Sequence, residues 1–372
     1  MSAHFGAPVE NVPKICTNEP DSDIRTPVGW AYFCSGLTLS SKLPVPAEKK
    51  DPNADPLEND KDLVAFTKAV KGLSIVHGPT QVSYNMDKLL GKGTFGSVWR
   101  YVRSINAMVS ASEPETFVVK LFLRAGNVAD AHEVANIDLM NTVDQVNVSA
   151  LRPSYLTTRM GAGVLQDINE QFCVVSPQYL SDLDGRKYSS REATAIVKAC
   201  FQEVLDMYNT YNLLCFDLKP ANMLFSCQGQ NPSVHAADYG GYALKDRLVR
   251  ATYPAPWRPF LVDTAQLMCE EICVYSFLTL FLVLVQVKDV QLLTWDEVTK
   301  QESDPKTKRK VAADPQKRAQ AAFVKMEPLI LKLPRSVTNF LNYAIQPNPP
   351  ATMMGLHQRL ASISDHEIDV TF

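Results

Sequence analysis

The chain has 372 residues, 46% of them hydrophobic, which is enough to bury a two-lobed core. A formal net charge of −3 leaves no global positive field of the kind that holds nucleic acid or anionic lipid, so neither partner is expected. Eight cysteines without a CxxC pair and six widely spaced histidines exclude a disulfide framework and a zinc-type ligand pattern, and point to reduced thiols in the cytoplasm or nucleus.

Residues 1–60 are rich in proline, and between Leu43 and Asp60 the prolines Pro44, Pro46, Pro52 and Pro56 mix with charges. Such a stretch buries too little apolar surface to offset its ordering entropy, so 1–60 is expected to be a flexible extension. An apolar island, Trp30, Ala31, Tyr32, Phe33 and Cys34, interrupts it. That island either docks, on the rest of the chain or on a partner, or is simple local clustering. Leu63, Phe66, Val70 and Leu73 recur at helical spacing and predict a short helical lead-in over 61–79, packed on the strand-forming region that begins near residue 80. No charged start precedes an apolar run, so no signal peptide is expected.

Val82–Leu90 and Ser97–Val102 read as strands around Gly91, Lys92, Gly93, Thr94, Phe95, Gly96, Ser97 and Val98, a full GxGxxGxV. Glycines let a backbone approach phosphates with no side chain in the way. A dinucleotide-binding βαβ unit would need a helix after the glycines, whereas here a second strand comes next, so a hairpin is predicted. Thr116–Lys120 is a β-branched and aromatic run ending in a lysine. A lysine in an apolar strand is costly unless paired. Glu133 is the candidate partner, on a helix predicted from Val128 to Met140, capped by Asn127, with Glu133, Ile137 and Met140 along one face. Asp138 points off that face and is the weaker substitute, and escape of Lys120 to solvent at the strand end is the alternative.

Phe172–Val175 reads as a buried strand. Ser189 and Glu192 form a capping-box pattern, and Ala193, Ile196, Val197, Cys200, Phe201, Val204, Leu205 and Tyr208 make a helical stripe explained by core packing alone. That stripe leads to Asp217, Leu218, Lys219, Pro220, Ala221 and Asn222, and then to Asp238, Tyr239 and Gly240. Moving a phosphoryl group needs a carboxylate to accept the nucleophile's proton, a cation for the phosphate oxygens, and oxygen ligands for magnesium. Asp217, Lys219, Asn222 and Asp238 supply these types. A chance surface turn is the bland alternative for the loop alone, and the glycine hairpin and strand lysine upstream weigh against it.

Ile272–Val285 is almost wholly apolar but falls short of the roughly 18–20 residues of a membrane span, and Glu270, Glu271 and Lys288 flank it, so a buried core helix is expected. Lys306, Lys308, Arg309, Lys310, Lys317 and Arg318 form a basic run within 301–320. A solvated insertion loop is the favoured account, with a nuclear-import signal or a substrate-docking patch as alternatives. His132 and His235 are expected on a helix face and in a loop, not as metal ligands.

Glycine loop, strand lysine, helix glutamate, DLKPAN and DYG, in this order, resemble a eukaryotic-type protein kinase over residues 80–362. The resemblance implies an α+β, bilobal fold: a small antiparallel β-sheet lobe (about 80–178) and a larger, mostly helical lobe (about 179–362), with 363–372 as a tail. It implies ATP and Mg2+ as cofactors, Asp217 as catalytic base, Lys219 as the phosphate-neutralising lysine, Asn222 and Asp238 as magnesium ligands, and Lys120 paired with Glu133 on the α and β phosphates. ATP would also contact Leu90, Gly91, Lys92, Gly93, Gly96, Val98 and Leu224. Ser176, Pro177, Gln178, Tyr179 and Leu180 would form the hinge, with Gln178 and Tyr179 against adenine and the small Ser176 guarding the pocket's back. Lys219 implies serine or threonine acceptors in protein substrates. The expected protein is a monomer of the cytoplasm or nucleus, and its divergence and compactness are similar to what large DNA viruses encode, the compartment then being a host cell's.

The chain also departs from that family's pattern. Cys215 and Phe216 stand where the family has histidine and arginine, which removes the group that would bind a phosphate on the segment after Gly240 and implies activity without its phosphorylation. That segment is short, running from Gly241 to Pro254. Ala255, Pro256 and Trp257 replace Ala-Pro-Glu, and no arginine lies in Gln346–Thr352, so both members of the usual ion pair are gone and Trp257 is expected to fill the space. Cys273 occupies the place of an aspartate that braces the catalytic loop, with Glu270, Glu271 or Asp263 as possible substitutes. Two rival functions stay open: a pseudokinase acting as a binding or scaffold module, and a kinase-fold enzyme acting on a small molecule.

Overall fold

Apolar side chains at every second position in the first half of the chain give one antiparallel sheet, and apolar side chains at helical spacing beyond residue 190 give a helical half. The computed structural model describes residues 27–43, 56–93, 96–104, 113–123, 128–149, 163–166, 172–178, 181–183, 190–228, 231–250, 265–284, 333–346 and 350–364. The large sheet contains β1 (Leu37–Leu39), β2 (Ser74–His77), β3 (Val82–Gly93), β4 (Gly96–Arg103), β5 (Thr116–Phe122), β6 (Gly163–Gln166) and β7 (Phe172–Pro177), in the order β1-β2-β3-β4-β5-β7-β6. Every neighbouring pair is antiparallel. In β5, Phe117, Val119 and Leu121 turn to one face and are fully buried, which leaves Thr116, Val118 and Lys120 on the other. Register sets Lys120 opposite Val98 of β4 and Val174 of β7, in the interior of the sheet.

The apolar face of the sheet is covered by residues that precede it. The helix α1 (Pro27–Ser35) lays Trp30, Phe33 and Cys34 onto this face. Phe33 meets Tyr84 and Phe117 edge-on at 6.0 and 5.7 Å, and Trp30 Nε1 donates to the Val175 carbonyl at 3.4 Å. The longer α2 (Pro56–Ala69) adds Leu63 and Phe66, and Val70 and Leu73 continue from it into the same cluster. Within the stretch expected to be a flexible extension, 1–60, residues 27–43 hold α1 against the sheet and β1 within it, and residues 56–60 open α2. Burial of side chains such as Trp30 and Phe33, at about 1.5–3 kcal/mol for a large apolar side chain, outweighs the local proline content. Of the alternatives open to the apolar island, docking on the rest of the chain is the one seen.

The helix α3 (Val128–Ser149) runs on well past Met140, and buries Glu133, Val134, Asn136, Ile137 and Met140. β8 (Ser181–Asp182) precedes α4 (Ser190–Tyr211), whose stripe from Ala193 to Leu205 is buried as expected; Ser189 lies outside the described residues. Asn212 closes α4 in the left-handed conformation (φ 57°), its N–H donating to the Tyr208 carbonyl at 2.9 Å. The chain thereby turns at once into β9 (Leu213–Cys215), which delivers Asp217. β10 (Met223–Gln228) and β11 (Asn231–Ala236) form a three-stranded sheet with β8, and β12 (Tyr242–Leu244) pairs with β9. His235 lies buried on β11, not in a loop, because its strand pairs residue for residue with β10.

β13 (Leu248–Arg250) pairs with β14 (Ala265–Leu267), and α5 (Glu270–Leu284), α6 (Arg335–Ile345) and α7 (Met353–Ala361) complete the helical half. Phe277 and Phe281 of α5 pack on Phe201 and Phe340, so the apolar run is a core helix. Among the described residues no helix is long and apolar enough to cross a membrane. Ala255, Pro256, Trp257, Asp263, the basic run 306–318 and residues 365–372 lie outside the described residues.

Candidate active site

Lys120 is the centre of the site. Its Nζ lies 2.7 Å from Glu133 Oε2 and 3.0 Å from Asp238 Oδ1. Burial alone would lower the pKa of Lys120, but the Asp238 and Glu133 carboxylates outweigh it and hold the ammonium above the ordinary lysine range. Burial, with the Asp238 charge nearby, holds the Glu133 carboxyl above its ordinary value although Lys120 pulls it down. The 2.7 Å contact pairs the Lys120 ammonium with the Glu133 carboxyl. Asp138 is exposed and takes no part.

Asp217 comes just after β9 and is buried (2% exposed), with its Oδ2 accepting from Lys219 Nζ at 3.1 Å. The Asp217 backbone carbonyl accepts from Asn222 Nδ2 at 3.1 Å, which leaves the Asn222 amide oxygen to serve as a ligand. Asn222 belongs to a 3₁₀ turn opened by Pro220, and its carbonyl accepts from Ala237 N at 2.8 Å, tying the acid at 238 to the loop at 217–222. Asp238 has left-handed backbone (φ 58°, ψ 64°) and a carboxylate 35% exposed. Asn222 and Asp238 offer only oxygen, which suits a hard cation such as Mg2+ with phosphate and water completing its shell.

The other expected contacts that are described fall on four strands or just beyond one. Leu90, Gly91 and Lys92 are on β3, where a register shift between Leu89 and Gly91 leaves Leu90 half exposed. Gly93 pairs with Gly96 across the hairpin, and a Cβ at Gly96 would sit 2.1 Å from the Leu121 carbonyl oxygen, so only glycine fits there. Val98 is half-buried opposite Lys120. Ser176 lies opposite Val118 on the face that carries Lys120, Gln178 is exposed just beyond β7, and Leu224 is half-buried opposite Asp182. Tyr179 and Leu180 lie outside the described residues.

The departures in the loop have structural substitutes. Cys215 Sγ donates to the Gly241 carbonyl at 3.4 Å and Phe216 N donates to the same oxygen at 2.9 Å, while the Phe216 ring is buried. Burial pushes the Cys215 thiol up, so it stays neutral. The brace from α5 is Ser276, whose Oγ accepts from Leu218 N at 2.9 Å with both residues buried. Glu270, one of the three possible substitutes, does other work. It accepts from Tyr208 Oη at 2.9 Å, Lys245 Nζ at 3.0 Å and Met353 N at 3.0 Å, joining α4, the segment after β12, α5 and α7.

Sequence reasoning missed Ser276, Asn136 and His132. Ser276 and Thr279 are the only hydroxyls of an otherwise apolar run apart from Tyr275, which was the available signal. Asn136 Nδ2 donates to the Tyr239 and Tyr242 carbonyls at 2.8 and 2.9 Å, and His132 Nε2 lies 2.5 Å from the Tyr242 carbonyl. Asn136 stands three residues after Glu133 on one helical face, a spacing that could have marked it.

The glycine hairpin, the strand lysine bound to a helix acid, and the 217–222 loop beside a second acid sit on a protein-kinase-like fold. No protein-family model matches the chain. The likeness is carried by solved structures: the structure of vaccinia related kinase 3 superposes with a TM-score of 0.50, over 86% of this chain and 99% of that one, at 11% sequence identity. At that identity the likeness is one of fold.

Proposed function

We propose that this protein transfers the γ-phosphoryl group of ATP to serine or threonine hydroxyls of protein substrates, with Asp217 as the base. The observation that carries this is the meeting of Glu133 and Asp238 on Lys120 within hydrogen-bonding distance, Asp238 from a distant part of the chain. Beside it, Asp217, Lys219 and Asn222 are in mutual contact. In this proposal the sheet forms a small lobe and the helical half a large one, with the nucleotide between them. Lys120, held by Glu133, binds the α and β phosphates. Asn222 and Asp238 hold Mg2+, which when bound neutralises developing charge on the phosphate oxygens. Asp217 accepts the proton of the acceptor hydroxyl, and Lys219 faces the transferred group. Burial of Phe216 where a phosphate-binding arginine would stand favours activity without phosphorylation of the segment after Gly240. The same proposal takes the protein as a monomer of the cytoplasm or nucleus.

The test is transfer of radiolabel from ATP to a generic basic protein by wild type and Asp217→Asn. Loss of the base is expected to lower the rate by roughly 10²–10⁴-fold. Equal incorporation by both proteins would exclude Asp217 as the base. No incorporation by wild type, with magnesium-dependent ATP binding intact, would instead identify a binding module.

A further inference from the structure

The Asp238 backbone is left-handed, a conformation uncommon outside glycine that aspartate and asparagine adopt more readily than other residues. The turn it opens, Tyr239–Gly241, is gripped from α3. Asn136 is 5% exposed, and its carboxamide nitrogen has two hydrogens, which meet the Tyr239 carbonyl at 2.8 Å and the Tyr242 carbonyl at 2.9 Å. One turn earlier on the same helix, Glu133 binds Lys120, and Lys120 binds Asp238. A closed ring results: α3 reaches Asp238 through an ionic limb, Glu133 and Lys120, and reaches the turn just after Asp238 through a neutral limb, Asn136, which alone holds the Tyr239 carbonyl among the α3 contacts described and shares the Tyr242 carbonyl with His132. The ionic limb is partly open to water, with Asp238 35% exposed, whereas the neutral limb is dry.

We propose that Asn136 is the positioning residue that aims Asp238, by holding its left-handed turn against α3 so that helix and acid move as one body. The structural half of this stands alone, and its catalytic consequence rests on the function proposed above. Satisfying two buried carbonyls is the more ordinary role for an asparagine, but that role predicts no coupling between α3 and Asp238.

The experiment is hydrogen–deuterium exchange on the full chain, wild type against Asn136→Ala, measured in peptides covering 131–140, 238–244 and, as reference, α4. Loss of two net hydrogen bonds corresponds to roughly tenfold or more faster opening. The proposal expects that acceleration in 131–140 and 238–244 together, with α4 unchanged. Unchanged exchange in 238–244, or acceleration spread equally into α4, would overturn it. Should the alanine variant not fold, Asn136→Ser, which keeps one donor, carries the same comparison with a smaller acceleration expected. Phosphoryl transfer is the second readout: Asn136→Ala should lower kcat by about tenfold and Asn136→Ser by less. If wild type transfers nothing yet the exchange of the two segments rises together, the positioning role stands and the proposed function fails. If wild type is active and the variants match it in kcat, Asn136 does not position Asp238.

Discussion

Ser276→Ala removes a single oxygen atom from the middle of α5, and its expected effect comes from one contact. Ser276 Oγ is the acceptor for Leu218 N at 2.9 Å, and the two residues are 0% and 1% exposed, so water cannot take over. An orphaned buried donor costs about 1–3 kcal/mol, and a value near the middle corresponds to a fall in melting temperature of roughly 4 °C for a large domain. The loop can recover part of that energy only by moving Leu218, and Asp217 is its neighbour. A shift of about 1 Å in a reacting group is worth roughly a hundredfold in rate, so kcat should drop by more than tenfold. KM for ATP should hold, because Lys120 and Glu133 belong to β5 and α3. Thermal melts and steady-state transfer of radiolabel measure the two effects. Ser276→Thr keeps the hydroxyl but adds a methyl to a full site, at about 1–3 kcal/mol, so it should recover kcat while remaining less stable. A Ser276→Ala protein with unchanged melting temperature and kcat would refute the brace.

Three other outcomes are expected. Trp30→Ala should cost about 3–5 kcal/mol in urea unfolding, since Trp30 is 1% exposed against the sheet; a change under 0.5 kcal/mol would show α1 undocked in solution. Gly241→Ala should lower kcat by roughly tenfold with little change in stability, because its new Cβ would stand 3.1 Å from Asp217 Cβ and displace it. For Glu270, burial alone would raise the carboxyl, but the Met353 N–H, Lys245 and Tyr208 outweigh it and hold the pKa below the ordinary value. Its folded pKa thus lies under the unfolded value of about 4.3. The stabilisation is present above that pH and lost as pH falls through the folded pKa. The melting-temperature difference between wild type and Glu270→Gln should be constant from pH 7 to 5 and shrink below pH 4, and a flat difference would count against the network.

Much of the candidate site was legible in residue order because it is local. Asp217, Lys219 and Asn222 lie within one turn, and the hydrogen bonds among them need nothing from the rest of the chain but a place to stand. The glycine hairpin is equally local, since Gly96 is required by the approach of the adjacent strand. Pairing of Lys120 with Glu133 could be anticipated because strand alternation and helix spacing each point one side chain, and a buried lysine requires an acid. Its second acid, Asp238, could not be anticipated as a contact, because 118 residues separate the two and only the assembled fold brings them together.

The tertiary structure decided whatever depended on which groups became neighbours. Local composition argued for a flexible N-terminal extension, yet the sheet offers an apolar face that Trp30 and Phe33 can bury, and the gain from that surface appears only once the sheet exists. Likewise, a buried Leu218 N–H needs an acceptor but not a particular residue, so Ser276 serves where a carboxylate was sought and Glu270 is free to join α5 to three other segments. Residue types and their short-range spacing determined which chemistry this chain can carry. Packing across long sequence separations decided which side chains hold that chemistry in place, because the energy of a buried contact depends on what surrounds it.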